Sequence, residues 1–258
     1  MKNPNVWIFD SSKIKLLPIS DLHFGSSECN MELVKRTIDL IQNGEDTYGC
    51  FIGDLIEVAG VGSIGREKDQ SENINDQITK IVDLFKPIKH KILFGICGNH
   101  EYRTEKQIGL DVSRVICEML GVQYSKWEKM FVLGLKSKKN SKFKSMVKAY
   151  AHHGTGGGST TGGKINSAEK LHFRAPTANI ILSGHTHIPS HTMSEIRDIT
   201  SFGFLKSFIQ HYIVCGTAHK SDGYAAMKAY RPQPTVQVCV TIELTKNDDV
   251  IVQSRFIY

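Results

Sequence analysis

The stretch KIKLLPISDLHFG, residues 13–25, contains the two features that decide the fold of this chain. Its first part is a short apolar run bounded by polar residues, and such a run indicates a β-strand. The run ends at Ser20, and Asp21 and His23 follow directly. In α/β sheets ligands bind beyond the carboxyl ends of the strands, so polar side chains at this position are candidates for a functional site.

The same order of elements repeats through the first half of the chain. Apolar residues recur at helical spacing after residue 31, and again within residues 74–85 and 108–119. Short apolar runs at residues 48–52 and 91–96 alternate with these segments. Alternating strands and helices predict parallel strands joined by crossover helices, and therefore an α/β fold.

The second half of the chain is richer in predicted strands. They lie near residues 130–135, 143–151, 178–182, 209–215, 224–230, 235–244 and 250–257. We expect the tail beyond residue 190 to pair as antiparallel strands in a second sheet that packs on the first. Because no repeat and no long linker divides the sequence, we predict a single domain over residues 1–258.

The composition is that of an ordinary globular protein, with 40% hydrophobic and 22% charged residues, which excludes a disordered chain. No apolar run is long enough to span a bilayer and the N-terminus lacks a signal-peptide pattern, so we predict a cytoplasmic protein without membrane contact. The six cysteines form no CxxC pair and are predicted to be free thiols. The net charge of +6 suits an acidic substrate or nucleic acid, and the oligomeric state stays open.

Five polar clusters stand at the ends of predicted strands. They are SDLH (20–23), GD (53–54), GNHE (98–101), HH (152–153) and GHTH (184–187). Because the carboxyl ends of parallel strands meet at one edge of a sheet, we expect these clusters to converge. Carboxylates, neutral imidazoles and one amide oxygen suit two divalent ions such as Mn, Fe or Zn. Two neighbouring cations need a shared anion, and Asp54, on a central strand, is the best candidate.

The motifs resemble those of the calcineurin-like metallophosphoesterase family. SDLH, IGDLIE (52–57), GNHE, HHG (152–154) and GHTH carry the likeness, and they follow the family's order between residues 14 and 190. The resemblance implies a two-sheet β-sandwich flanked by helices. It also implies metal-dependent hydrolysis of phosphoesters, with two divalent ions as cofactors and Mn as the favoured element.

Carried over residue by residue, the resemblance implies two ion sites that share the carboxylate of Asp54. The side chains implied to hold one ion are Asp21, His23 and His187. Those implied to hold the other are Asn99, His185 and one histidine of the HHG motif. We favour His152, which directly follows the predicted strand, with His153 as the alternative. Adjacent residues at a strand end point in opposite directions, so the motif alone leaves this choice open.

The predicted mechanism uses the two ions to lower the pKa of a bridging water, so that hydroxide attacks phosphorus in line with the leaving oxygen. The resemblance implies that His100 assists the leaving group. An alternative role for His100 is to orient a ligand. We therefore assign catalytic roles to His100 and Asp54, and substrate contacts to Asn99, Arg103 and His153.

Two further stretches are open to more than one interpretation. GTGGGSTTGGK, residues 154–164, nearly matches a phosphate-binding P-loop, but Ile165 replaces the required Ser or Thr, so we reject that motif. It then forms either a rim over the metal site or a loop without a ligand role. Six lysines between residues 136 and 148 form either a solvated turn or a nucleic-acid footprint.

We therefore predict a dinuclear metal-dependent phosphoesterase. The positive charge and the lysine-rich turn favour a phosphodiester, nucleic acid included, as the substrate. The alternative is a phosphomonoesterase that acts on a small molecule or a phosphoprotein. Outside the enzymes, the alternative is a scaffold that keeps metal only for stability. The complete set of ligand types, together with His100, favours the enzyme.

Overall fold

The structure is a computed structural model that describes residues 5–58, 70, 72–140, 142, 144–156, 160–221 and 232–258. Within these ranges, twelve strands form two six-stranded sheets with helices packed around them. The fold is therefore an α/β two-sheet sandwich flanked by helices, as predicted from the sequence. Strands and helices are numbered below in chain order.

The first sheet carries the parallel strands that the alternating pattern predicted. Its members are β2 (Lys13–Ile19), β3 (Thr47–Phe51), β4 (Ile92–Ile96), β5 (Gln123–Ser125), β11 (Gln237–Leu244) and β12 (Val250–Ile257). Their order across the sheet is β12-β11-β2-β3-β4-β5. Strands β2 to β5 run parallel, whereas β11 is antiparallel to both β2 and β12.

The second sheet mixes hairpins with parallel pairs. Its members are β1 (Val6–Ile8), β6 (Glu128–Lys136), β7 (Lys144–His152), β8 (Ile180–Ser183), β9 (Ser190–Ile199) and β10 (Leu205–Val214). Their order is β1-β6-β7-β8-β10-β9. Strands β7, β8 and β10 run parallel, so their carboxyl ends share one edge of the sheet.

Helices cover the faces of the sheets. They are α1 (Met31–Asn43), α2 (Ile74–Phe85), α3 (Asn99–Ile108), α4 (Val112–Leu120) and α5 (Thr161–Glu169), with short 3₁₀ helices at Lys86–Lys91 and Lys170–Phe173. The side chains of Asn30, Asn73 and Asp111 accept backbone hydrogen bonds at the starts of α1, α2 and α4. Such caps satisfy amides that have no partner within the helix.

Strand β2 illustrates how the sandwich is held together. Ile14 and Leu16 pack into the core that joins the two sheets, whereas Leu17 and Ile19 pack into the core beneath the helices. Alternate side chains of a strand face opposite sides, so β2 is buried on both faces. Its sequence is therefore a nearly continuous apolar run. Burial of each such side chain contributes roughly 1.5–3 kcal/mol.

The structure corrects three sequence predictions. The tail does not form a sheet of its own, because β10 pairs with β8 in the second sheet and β11 pairs with β2 in the first. Strand β9 was not predicted, since its residues, half of which are exposed, show no apolar alternation. The helix predicted over 108–119 is two helices, because Gly109, with a φ of 73°, ends α3. The predicted strand 224–230 lies outside the described residues.

Two predictions from composition can be compared with the structure directly. All six cysteines are unpaired, and four of them are buried, as predicted. Across the described part of the chain, we find no helix with the length and apolar character that a bilayer crossing requires.

Candidate metal centre

The polar clusters follow strands of both sheets, at the edge where the carboxyl ends of these strands meet. Asp21 and Asp54 follow β2 and β3 of the first sheet. His153 and His185 follow β7 and β8 of the second. The ring Nδ1 of His153 lies 2.7 Å from the carbonyl oxygen of Ile52 in the first sheet, so the two sheets contact each other at this edge.

The first group of converging side chains consists of Asp21, His23 and His187. Each offers one nitrogen or oxygen atom, and these atoms lie within 4.8 Å of one another. The Nε2 atoms of His23 and His187 are 3.3 Å apart, and His187 Nε2 is 3.1 Å from Asp21 Oδ1. Burial would raise the pKa of Asp21, but the charge and hydrogen bond of His187 outweigh it and lower the pKa to about 2.

The second group consists of Asp54, His153 and His185, whose donor atoms also lie within 4.8 Å of one another. The Oδ1 atom of Asn99 is 2.7 Å from His185 Nδ1 and 3.0 Å from His153 Nε2. His153 Nε2 is also 3.3 Å from Asp54 Oδ2. Burial would lower the pKa of His153, but the Asp54 carboxylate outweighs it and raises the pKa to about 10.

Asp54 links the two groups of side chains. Its carboxylate also forms a cluster with His23 and His100, within the same 4.8 Å limit, so it lies between the first group and the second. It is 1% exposed, and one of its oxygens accepts a hydrogen bond from the backbone N–H of His100. A carboxylate in this position has the geometry needed to be shared by two cations.

The hydrogen-bond partners of the histidine rings show whether these side chains could bind cations. His23 Nδ1 is 2.8 Å from a Glu57 oxygen, and His153 Nδ1 faces a carbonyl oxygen. Because carboxylates and carbonyls only accept, both Nδ1 atoms donate to these acceptors, and the Nε2 atom of each ring faces the cluster. Nε2 is therefore the atom through which each ring would bind a cation, in exchange for any proton that it carries. This is the arrangement in which imidazoles bind metal, with the second nitrogen fixed by an acceptor. The residues present therefore fit a divalent ion.

Comparison with known families adds one finding to this geometry. The family described as calcineurin-like phosphoesterase matches residues 14–189. The chain belongs to the calcineurin-like phosphoesterase family. No curated protein matches the sequence significantly.

Solved structures that align with this chain include Vps29 and 5′-nucleotidase. Vps29 from Entamoeba histolytica, complexed with Zn²⁺, is 11% identical, with a TM-score of 0.41, over 95% of this chain and 98% of that one. Vps29 from Chaetomium thermophilum is 9% identical, with a TM-score of 0.39, over 95% of each chain. The 5′-nucleotidase precursor from Thermus thermophilus is 9% identical, with a TM-score of 0.43, over 95% of this chain and 54% of that one.

The two histidines of the HHG motif of this calcineurin-like phosphoesterase occupy different surroundings, although we favoured His152 from the sequence. His153, and not His152, lies among the converging side chains. Ala151 packs between the sheets, so His153, two residues further on, points the same way. His152 shares the outer face with Tyr150, and its Nδ1 accepts a hydrogen bond from the N–H of Gly154.

His100 lies at the start of α3, with its side chain 18% exposed. Its Nδ1 is 2.9 Å from the carbonyl oxygen of Glu57, and its Nε2 is 4.0 Å from Asp54 Oδ2. Burial would lower the pKa of His100, but the carboxylates of Asp54 and Glu57 outweigh it and raise the pKa. Arg103, one turn further along α3, is partly buried, and its charge acts in the opposite direction.

Two glutamates support the site in ways that the sequence analysis did not assign. Glu57 contacts both His23 Nδ1, at 2.8 Å, and His100 Nδ1, at 3.5 Å. The sequence feature that could have identified Glu57 is its position at the end of the family motif IGDLIE. Glu101 accepts hydrogen bonds from the backbone N–H groups of Asp54, Leu55 and Gly98. It therefore fixes the loop that carries the shared carboxylate.

The backbone at this edge is strained. Five of the clustered residues have left-handed φ angles between 49° and 68°, namely Asp21, His23, Asp54, His185 and His187. Non-glycine residues in this region cost about 1–3 kcal/mol each, and such strain collects at functional sites. Gly98 and Gly184 allow the close approach of the loops, because a Cβ at either position would collide with Asp54 or Asp21.

The lysine-rich turn between β6 and β7 is not part of this edge. Lys144 and His152 stand at opposite ends of β7, roughly 27 Å apart at the rise of a strand. Three of its lysines form ion pairs with Asp10 or Glu243, namely Lys136, Lys138 and Lys144. These observations favour the solvated turn over the nucleic-acid footprint.

Proposed function

We propose that this protein is a phosphoester hydrolase that uses two divalent metal ions. The observation that carries the proposal is the convergence of the two donor groups on either side of Asp54. Seven side chains of metal-binding type come from five strand ends in two sheets. A structural role alone does not account for the imidazole nitrogens of His23 and His187, which face each other at 3.3 Å beside the carboxylate of Asp21.

We assign the ligands from the contacts. The proposed ligands of the first ion are Asp21, His23 and His187. Those of the second are Asn99, His153 and His185. Asp54 is shared by the two ions. When bound, the ions would supply Lewis acidity toward a phosphoryl oxygen and an attacking water. Mn²⁺ is our first choice, and Fe or Zn would accept the same ligand types.

We assign the proton transfer to His100. Its Nδ1–H donates to the carbonyl oxygen of Glu57, so the ring is held with Nε2 toward the cluster. A protonated ring in this position can donate the Nε2 proton to a leaving alkoxide. Glu57 also accepts a hydrogen bond from His23, and it therefore orients a ligand and the acid together. Arg103 is proposed to contact a phosphoryl oxygen.

We propose a phosphodiester as the first substrate class, and a phosphomonoester is the alternative. The net charge of +6 supports an anionic phosphoester substrate. We also propose that residues 1–258 act as one domain. The pairing of β2 with β11 supports this, because it joins the first motif of the site to the C-terminal part of the chain.

The test is hydrolysis of bis-p-nitrophenyl phosphate and p-nitrophenyl phosphate by protein that has been stripped with chelator and refilled with Mn²⁺, Zn²⁺ or Fe²⁺. We expect turnover only after refilling, two ions per chain by elemental analysis, and loss of both in Asp54→Asn. The preferred ester identifies the substrate class. Binding of fewer than two ions would overturn the dinuclear proposal. Two bound ions without turnover of either ester would favour a scaffold.

A further inference from the structure

The hairpin of β9 and β10 extends beyond the strands that neighbour it in the second sheet. Strand β10 pairs with β8 only through its last four residues, 211–214, whereas it pairs with β9 along its whole length. Among the strands that the structure describes, none other than β9 pairs with the first half of β10. We call residues 193–209 the hairpin arm.

One face of the hairpin arm is apolar and exposed. Leu205 and Ile209 lie on the same face of β10 as Ile213, because side chains four residues apart on a strand point the same way. Ile213 packs in the core between the two sheets, but Leu205 is 88% exposed and Ile209 is also exposed. Met193 and Ile199 of β9 share this face through their register with β10, and both are exposed. The core face of the sheet therefore continues as an exposed apolar surface, which is typical of a binding site.

Two phenylalanines enlarge this surface at the turn of the hairpin arm. Phe202 and Phe204 are 87% and 71% exposed, on either side of Gly203, which has a φ of 82°. Aromatic side chains bury about 150–250 Å² each when they are covered, so these two supply roughly 300 Å² per chain. A stable protein interface buries about 800 Å² on each partner. Together with the apolar face, the turn has the size that such an interface needs.

The outer edge of β9 carries backbone groups that can pair with another strand. The N–H of Thr200 donates to the carbonyl oxygen of Phe204, so the even-numbered residues of β9 direct their backbone groups towards β10. The odd-numbered residues 191–199 direct theirs to the outer edge, where no described strand pairs with them. The N–H of Ile199 donates to the side chain of its neighbour Asp198. A long edge strand with apolar side chains favours pairing with another chain.

The sequence of β9 is complementary to itself when two copies run antiparallel about Ile196. Glu195 then lies opposite Arg197 of the other copy, and Met193 lies opposite Ile199. All four residues direct their backbone groups to the outer edge, so both pairs can exchange backbone hydrogen bonds. A two-fold axis at Glu195 or at Arg197 would place like charges opposite each other, which is destabilising.

We infer that two copies of this chain associate through β9, antiparallel and centred on Ile196, so that their six-stranded second sheets join edge to edge. The two-fold axis is perpendicular to the sheet, so the apolar faces of both hairpin arms lie on the same side and meet along the new strand pair. No residue of the metal centre takes part. The inference is therefore independent of the proposed hydrolase.

The test is sedimentation velocity of the full chain over a range of concentrations, with and without Mn²⁺. We expect a species of twice the chain mass of 28.9 kDa to form as the concentration rises. Glu195→Arg and Arg197→Glu each place like charges opposite each other twice in the dimer, so each variant should dimerise about tenfold more weakly. A mixture of the two variants has opposite charges at both places and should form heterodimers. This rescue is specific to a register in which residue 195 faces residue 197.

A proline variant tests the backbone contacts separately. The N–H of Glu195 points to the outer edge and not to β10, and proline is tolerated at such a position of an edge strand. We expect Glu195→Pro to keep the wild-type Tm and Mn²⁺ affinity but to remain monomeric where the wild type dimerises. Arg114→Glu is the matched control, because it breaks an exposed ion pair with Glu118 on α4. It should dimerise like the wild type.

The remaining outcomes overturn the inference. A wild-type protein that stays monomeric at every concentration excludes the dimer, and single charge variants of undiminished affinity place the interface elsewhere. A mixture of the two charge variants that stays monomeric contradicts the register. Flotation of monomeric protein with anionic lipid vesicles, lost on replacing Phe202 and Phe204 by serine, would assign the hairpin arm to a membrane surface. Metal-dependent turnover is measured separately, so each of these results leaves the proposed hydrolase untouched.

Discussion

His153 Nε2 lies 3.3 Å from Asp54 Oδ2, and this contact joins the two sheets of the sandwich. Asp54 follows β3 of the first sheet, whereas His153 follows β7 of the second. A divalent ion bound by both side chains would link the sheets at the edge that carries the site. Metal binding and stability of the fold should therefore be coupled.

Metal loading should raise the melting temperature. A ligand that binds only the folded state stabilises it by about 2.7 kcal/mol at a free concentration of 100 Kd. We therefore expect Mn²⁺ to raise the Tm of chelator-treated protein by several degrees in calorimetry. Mg²⁺ at equal ionic strength serves as the control for general salt effects. A Tm that does not respond to Mn²⁺ would contradict a cross-link between the sheets.

The two histidines of the HHG motif should respond differently to the same substitution. His153→Asn removes a nitrogen from the cluster, so we expect it to lose one bound ion and most of the Mn²⁺-dependent rise in Tm. His152→Asn changes a side chain on the outer face and should keep both ions. Elemental analysis of the two purified variants decides the matter, and the opposite result would restore His152 as the ligand.

Removal of His100 should affect catalysis more than metal binding. We expect His100→Asn to lower kcat about 10²–10⁴-fold for an ester with an alkoxide leaving group, which needs a proton. The loss should be much smaller for a p-nitrophenyl ester, because p-nitrophenolate leaves without protonation. Bound metal should stay at the wild-type level. An equal loss for both esters would assign His100 to ligand orientation instead.

Glu57 should set the affinity of the first ion. Glu57→Gln keeps an oxygen near His23 Nδ1 but removes the charge that makes the imidazole a stronger ligand. We expect the affinity for Mn²⁺ to fall about 10–100-fold, the usual effect of changing such a partner. Competition with a fluorescent chelator measures the change. Glu45→Gln, on an exposed turn before β3, is a matched control that should bind Mn²⁺ normally.

A histidine pair between β9 and β10 should make stability depend on pH. His211 Nδ1 lies 2.9 Å from His191 Nε2, and burial, together with the charge of His191, lowers the pKa of His211 to about 4. The unfolded chain takes up this proton near the ordinary histidine pKa of about 6.5. Stability from the neutral pair is therefore present above about pH 6.5 and falls between there and about pH 4. Urea unfolding of chelator-treated protein should show a flatter pH dependence in His211→Gln, and an unchanged slope would contradict this assignment.

The site was more predictable from sequence than the sheets that carry it. Asp21, Asp54 and His185 each stand just beyond a short apolar run, and this local pattern predicts a position at the carboxyl edge of a sheet. The choice between His152 and His153 was not accessible in this way. It depends on where β7 ends, and a shift by one residue turns each side chain to the other face.

A local sequence pattern also could not predict how the C-terminal strands divide between the two sheets. Strand β10 pairs with β8 and β11 pairs with β2, so consecutive strands enter different sheets. Such pairings depend on contacts between distant parts of the chain. Glu57 was missed for a related reason. Its role depends on the loops after β2 and β3 lying side by side, where the N–H of Phe24 bonds to the carbonyl of Leu55.

The pairing of β2 with β11 has a consequence for how the protein is made. The ribosome releases β2 (Lys13–Ile19) well before β11 (Gln237–Leu244), because about 200 residues separate them in the chain. Throughout that interval, one edge of β2 has no strand to pair with, and His187 reaches the solvent well after Asp21. Under the proposed ligand assignment, a nascent chain that ends before β8 lacks His185 and His187, so we expect metal loading to follow the synthesis of these residues. Ribosome-bound chains that stop before β8 should remain dependent on chaperones.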